Sequence, residues 1–99
     1  MGKFNVALPV NVMRCRDTGQ VIVHTPALDL SSHGRTESEA FRMFHEAVQL
    51  FLEEIHDMGT MDDVLTELGW TKVQKPTSHW IPPELLHQRK FPVRIPACA

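Results

Sequence analysis

Apolar residues recur at helical spacing between Thr36 and Gly59, and at alternate positions before it. In that stretch Ala40, Phe41, Phe44, Ala47, Val48, Phe51, Leu52 and Ile55 fall on one helical face, while Glu46, Glu53, Glu54 and Asp57 fall mostly elsewhere. The pattern predicts one long helix. Thr36 with Glu39 three residues on is a capping-box signature, the hydroxyl taking a first-turn amide and the carboxylate reaching back to the cap amide. Gly59 supplies the left-handed C-terminal stop. Burying the six larger apolar side chains contributes about 1.5–3 kcal/mol each, an upper bound because the unfolded chain already hides part of them. Such a face requires a sheet to pack against.

Period-two alternation supplies that sheet. Phe4, Val6, Leu8, Val10 and Val12 alternate with Asn5, Ala7, Pro9 and Asn11, which predicts a half-buried strand over Phe4 to Val12, with Pro9 at an edge or bulge because it has no amide to donate. Arg16-Asp17-Thr18-Gly19 is a reversal, and the β-branched run Val21 to Thr25 is the returning strand. Pro26 ends it, Ala27-Leu28-Asp29 forms a short loop, and Leu30 to Arg35 is a third strand leading into the cap. After Gly59, Thr60 caps a second short helix with Asp62 and Asp63 at its positive end, Val64, Leu65 and Leu68 on its apolar side, and Gly69 as its stop. Trp70 to Lys75 is a fourth strand returning to the sheet. The expected order is β-β-β-α-α-β, an α+β domain over residues 1–75: a three-stranded antiparallel sheet plus a fourth strand, packed on one long helix.

Residues 76–99 form a proline-rich C-terminal arm. A helical turn at Pro83 to His87 and an extended piece at Phe91 to Ile95 are the regular structure it allows. With Trp80, Ile81, Leu85, Leu86, Phe91 and Ile95 it is too apolar for a disordered linker. It is expected to pack on its own domain or at a dimer interface, with Trp80, Phe91 and Ile95 as oligomer-interface residues.

Charge changes this picture by its distribution. The net charge is −2, yet residues 1–35 hold four basic and two acidic residues, residues 36–69 one and nine, and residues 70–99 five and one. The acidic helical block repels phosphates and suits a basic protein partner, although acidic helices are ordinarily just solvated faces. Ninety-nine residues bury a small core, which oligomerisation would supplement. No apolar run is long enough to span a bilayer and no secretory leader is evident, so the expectation is a soluble, cytoplasmic protein with no membrane association. Cys15 and Cys98, without metal spacing, are expected as reduced thiols.

Candidate chemistry is sparse. His24, His33, His45, His56, His79 and His87 are scattered over several elements without HxxxH or HExxH spacing, and no CxxC is present, so no metal site is expected. Ser31, Ser32 and His33 are neighbours in sequence, which is not how a catalytic triad is assembled, and Gly34 beside them is read as a turn or bulge glycine. Asp17 and Asp29 are the only carboxylates of the strand region, too few for a two-metal nuclease. No phosphate-cradling glycine loop exists. The expectation is a non-enzyme without a cofactor. Phe91 to Pro96 has the look of a ribbon-helix-helix strand, but no two helices follow it, so autonomous specific DNA binding is not expected.

Pro26-Ala27-Leu28-Asp29-Leu30-Ser31-Ser32-His33-Gly34-Arg35-Thr36-Glu37-Ser38-Glu39-Ala40, with Glu46-Ala47-Val48 and Leu50-Phe51-Leu52-Glu53-Glu54, resembles the HicB family of bacterial antitoxins. The resemblance spans roughly residues 4 to 70 and departs from many members in having no helix-turn-helix or ribbon-helix-helix domain after residue 70. It implies a partial ribonuclease H-like fold without nuclease acids. It also implies a partner, a small basic HicA-type toxin that cleaves messenger RNA and is neutralised when the antitoxin covers its active site. On that reading Glu46, Glu53, Glu54 and Asp57 are the partner-binding residues. The other expectation is a stand-alone homodimer or higher homo-oligomer of the same fold with no toxin partner.

Overall fold

The structure, a computed structural model, describes residues 5–97. Three strands, Asn11–Arg14 (β1), Val21–Thr25 (β2) and Leu30–Gly34 (β3), form an antiparallel sheet in the order β1-β2-β3. Two helices follow, Glu37–Asp57 (α1) and Met61–Glu67 (α2), and then two short strands, Thr71–Val73 (β4) and His79–Ile81 (β5), which pair only with each other. The fold is α+β, as the sequence predicts.

Helix α1 starts where its cap demands. The Glu39 amide donates to Thr36 Oγ1 at 3.1 Å, and the Glu39 carboxylate accepts from the Arg35 amide at 3.3 Å, one residue earlier than expected. At its far end Gly59 takes φ +72, and the Thr60 amide donates to the Ile55 carbonyl while the Gly59 amide donates to that of His56. This pair of bonds satisfies carbonyls that the last turn leaves free. Gly69, φ +94, repeats the arrangement after α2, where the Trp70 amide donates to Leu65.

The core lies between the sheet and α1. Val21, Val23 and Thr25 face inward from β2, and Ala40, Phe44, Val48 and Ile55 face them from α1. Ala27, Leu28, Leu65 and Trp70 complete the buried set. Trp70 is fixed by its indole N–H, which donates to the Ala27 carbonyl at 2.7 Å. Phe51 and Leu52 pack at the margin, whereas Phe41 is 39% exposed, so the apolar stripe is narrower than periodicity indicates.

Several expectations are corrected. The first strand covers Asn11–Arg14 rather than Phe4 to Val12: Pro9 has no amide for a ladder, and its carbonyl is instead taken by the Thr25 hydroxyl at 2.8 Å. Phe4 lies outside the described residues. Thr60 makes no side-chain cap for α2, because its hydroxyl turns back to donate to the Ile55 carbonyl. The fourth strand does not return to the main sheet. Trp70, tied to Ala27, leads β4 into a hairpin with β5; Pro76 lies in the loop between the two strands, and Pro82 and Pro83 follow β5. No helical turn forms at Pro83 to His87 and no strand at Phe91 to Ile95.

Gly34 is neither a turn nor a bulge residue. It is the buried last residue of β3, and a Cβ there would meet the Ala40 backbone nitrogen at 2.6 Å. The glycine lets α1 cross the strand at backbone distance.

Candidate interaction surface

The outer side of α1 is built by the same periodicity that makes its core stripe. At 3.6 residues per turn, Glu46, Leu50, Glu53 and Asp57 stand above one another opposite Phe44, Val48 and Ile55, with Glu54 on the flank. All four candidate acids are exposed. They span about 17 Å along the axis at 1.5 Å per residue. Leu50, 66% exposed, sits in their midst, and Met58 is exposed just past the last turn. The structure therefore gathers Glu46, Glu53, Glu54 and Asp57 on one open surface with an apolar centre.

Their electrostatics are unbalanced. Among the described residues no Lys or Arg ion-pairs with any of the four, and the one partner present is His56, whose Nδ1 lies 3.4 Å from Asp57. Acids belong at a helix N-terminus, where Glu37 and Glu39 stand, whereas Glu53, Glu54 and Asp57 crowd the negative C-terminal end. Asp62 on α2 is matched by Lys72 at 3.3 Å, which also lies 5.7 Å from the centroid of the Trp80 ring.

The interface residues expected of the arm divide. Trp80 is half-buried against the core and is a structural residue of β5. Phe91 and Ile95 are 76% and 77% exposed, and Val93 is 72% exposed. The arm from Glu84 onward is open throughout, and the radius of gyration, 16.5 Å, exceeds the roughly 13 Å of a compact domain this size.

Comparison of the chain with protein families, curated proteins and solved structures finds no match.

The histidines stay dispersed. His24 Nε2 lies 3.6 Å from Asp29 on the outer sheet face, His33 is further along that face on β3, and His79 Nδ1 lies 2.7 Å from the Thr77 carbonyl. Among the described residues no group of three His, Cys, Asp or Glu side chains is arranged to hold a metal ion. Ser31 stands opposite His24 across the strand pair, yet no hydrogen bond joins them. No helix among the described residues is long and apolar enough to cross a membrane.

Cys15 is free, as the sequence leads one to expect, and the structure adds what surrounds it. Cys15, a free thiol at the mouth of the β1–β2 turn, has its pKa lowered chiefly by a hydrogen bond from the Thr18 side chain and further by the Thr18 and Asp17 amides. The Arg16 to Gly19 reversal, closed by the Gly19 amide donating to the Cys15 carbonyl, brings Asp17 and Thr18 beside the thiol, an arrangement that spacing alone does not reveal. Cys98 lies outside the described residues.

Proposed function

We propose that the protein is an antitoxin-like binding module that neutralises a small basic HicA-type messenger-RNA-cleaving toxin by covering its active site. The observation that carries this reading is the open surface of Glu46, Glu53, Glu54 and Asp57 around Leu50, acidic side chains that no Lys or Arg among the described residues pairs with, His56 beside Asp57 being their one basic contact. A protein evolved to hold RNA presents cations to phosphates, and an acidic helix face competes for those cations. Leu50 and Met58 supply apolar contact area at the centre of such an interface. The β-β-β-α order, with β3 running through Gly34 into the Thr36 cap, is the part of the topology implied by the resemblance that supports this reading, while β4 departs from it by pairing with β5 instead of the main sheet.

The first test is whether the adjacent gene encodes a small basic protein, and its absence counts against the reading; where one is present, calorimetry compares its binding to the wild type and to a variant with Glu46, Glu53, Glu54 and Asp57 all changed to Lys. The variant should bind at least tenfold more weakly, and its affinity should vary less with salt. Equal affinity for the two proteins overturns the reading.

A second reading, a stand-alone homo-oligomer, is favoured by a different observation: Leu86, Phe91, Val93 and Ile95 are each more than 70% exposed, a run of apolar side chains with no cover in the monomer.

A further inference from the structure

The arm carries a pattern that its exposure alone does not explain. In an extended chain, successive backbone amides point to opposite lateral edges and successive side chains to opposite faces. Across Phe91-Pro92-Val93-Arg94-Ile95-Pro96 both prolines fall at one parity, so one lateral edge lacks two amides. The other edge keeps the amides of Phe91, Val93 and Ile95, and those residues also place their side chains on one shared apolar face. This segment is suited to add to one strand edge and to block further addition.

The main sheet offers a matching edge. Strand β1 is terminal in the order β1-β2-β3. The Cys15 amide bonds the Gln20 carbonyl, and with Met13 opposite Ile22 and Asn11 opposite His24 the alternation makes these the bonded pairs. The amides and carbonyls of Val12 and Arg14 therefore point outward. The side chain of Val12 lies on the core side, opposite Val23, and is still 42% exposed, so the core is uncovered along this edge. A strand paired with Val12 and Arg14 through Phe91, Val93 and Ile95 would place its apolar face beside Val12, continuing the core outward.

The chain's own arm does not fill the edge. Its residues His87 to Lys90 and Val10 to Met13 are the two walls of an open groove, and Gln88 Nε2 donates to the Asn11 side chain. Among the described residues no backbone hydrogen bond joins arm and β1.

We propose that residues 91–95 of a second copy add as an antiparallel strand to the outer edge of β1, in a reciprocal exchange that forms a closed dimer. The area argues for reciprocity. At roughly 60–120 Å² per large apolar side chain, three side chains and the surface they cover, taken twice, bury on the order of 1,000 Å². That approaches the lower end, about 1,200 Å², of stable specific interfaces, whereas one arm alone reaches half. A two-fold exchange also closes on itself, which a one-way contact does not. The inference deepens the homo-oligomer reading and is independent of any toxin.

The test is sedimentation of the full chain over a concentration series. Val93→Pro removes an amide from the pairing edge and should weaken the dimer at least tenfold, while Arg94→Pro, on the edge already blocked by proline, should leave it within threefold. Val12→Pro, which removes an outward amide of β1, should match Val93→Pro. If Val12→Pro disturbs the circular dichroism, Val12→Cys mixed with Val93→Cys, in chains with Cys15 and Cys98 replaced by Ser, should form an intermolecular disulfide. Equal effects of Val93→Pro and Arg94→Pro overturn the strand-addition geometry. A dimer that loses stability with Val93→Pro but survives Val12→Pro, or the absence of the disulfide, overturns β1 as the host while sparing the homo-oligomer reading. A chain monomeric at all concentrations overturns both.

Discussion

Gly34→Ala places two opposing effects at one atom. Replacing glycine with alanine reduces the freedom of the unfolded chain and, where the native conformation permits, stabilises a protein by about 0.4–1 kcal/mol. The Gly34 backbone does permit it, since its φ is not positive. The added Cβ, however, would lie 2.6 Å from the Ala40 nitrogen and 3.0 Å from the Ala40 Cα and the Glu39 carbonyl carbon. Non-bonded carbon contacts are optimal near 3.5–4.0 Å, so the deficit is roughly 1 Å against backbone atoms that no rotamer change can move. Relief requires α1 to withdraw at its first turn, where Thr36 and Glu39 hold the cap. Overpacking of this kind costs about 1–3 kcal/mol, and a wholly backbone clash belongs at the upper end, so the net loss expected is about 2 kcal/mol. For a chain of this size that lowers Tm by roughly 8–16 °C. Gly19→Ala is the comparator: nothing lies within 4 Å of its Cβ, and the penalty is the left-handed φ alone, about 1–2 kcal/mol. Differential scanning calorimetry of both variants separates crowding from dihedral strain. A Gly34→Ala Tm within 2 °C of the parent, or above it, refutes the close-approach argument.

Trp70→Phe removes the donor to the buried Ala27 carbonyl and should destabilise by about 1–3 kcal/mol, read as a lower urea midpoint at unchanged m-value. Cys15, its thiolate favoured by Thr18 and the turn amides, should alkylate with a midpoint below the ordinary thiol range in a Cys98→Ser background, and Thr18→Ala should move that midpoint up. The sign for folding agrees: with the folded pKa lowered, thiolate stabilisation is present above the unfolded pKa and lost as pH falls through the folded one.

Much of this architecture was legible because local and tertiary signals agree. Thr36, Glu39 and Gly59 bracket an apolar stripe, and the observed helix Glu37–Asp57 lies just inside them. Strand β2 appears at its expected residues because β-branched composition and a proline stop coincide. The failures arise where a side chain supplies a bond that pattern assigns to the backbone. The Thr25 hydroxyl takes the Pro9 carbonyl and delays β1, the Thr60 hydroxyl takes the Ile55 carbonyl instead of capping α2, and the Trp70 indole steers β4 away from the main sheet. The acidic surface was legible as charge at helical spacing, but the exposed Leu50 at its centre was not singled out. For the arm, apolar content announced a need for cover without specifying where, and the site proposed for it depends on which sheet edge the topology leaves open.

The acids of α1 also resist the reading of an ordinary solvated face. Glu53 and Asp57 are four residues apart and Glu54 and Asp57 three, spacings at which like charges repel by about 0.2–0.5 kcal/mol per pair. They stand at the end of the helix where the dipole disfavours them, with His56 the only basic residue of the last turn. A surface selected for stability alone places Lys or Arg there, so this local rule is broken without an internal compensation. The proposed cationic partner would supply the compensation from outside. The fourfold Lys variant therefore has a second readout: relief from the dipole at the C-terminal end of α1 should raise the stability of the free chain by on the order of 1 kcal/mol at low salt, while partner binding falls. A variant that lost stability and affinity together would instead make the acids structural, and the proposed interface would lose its main support.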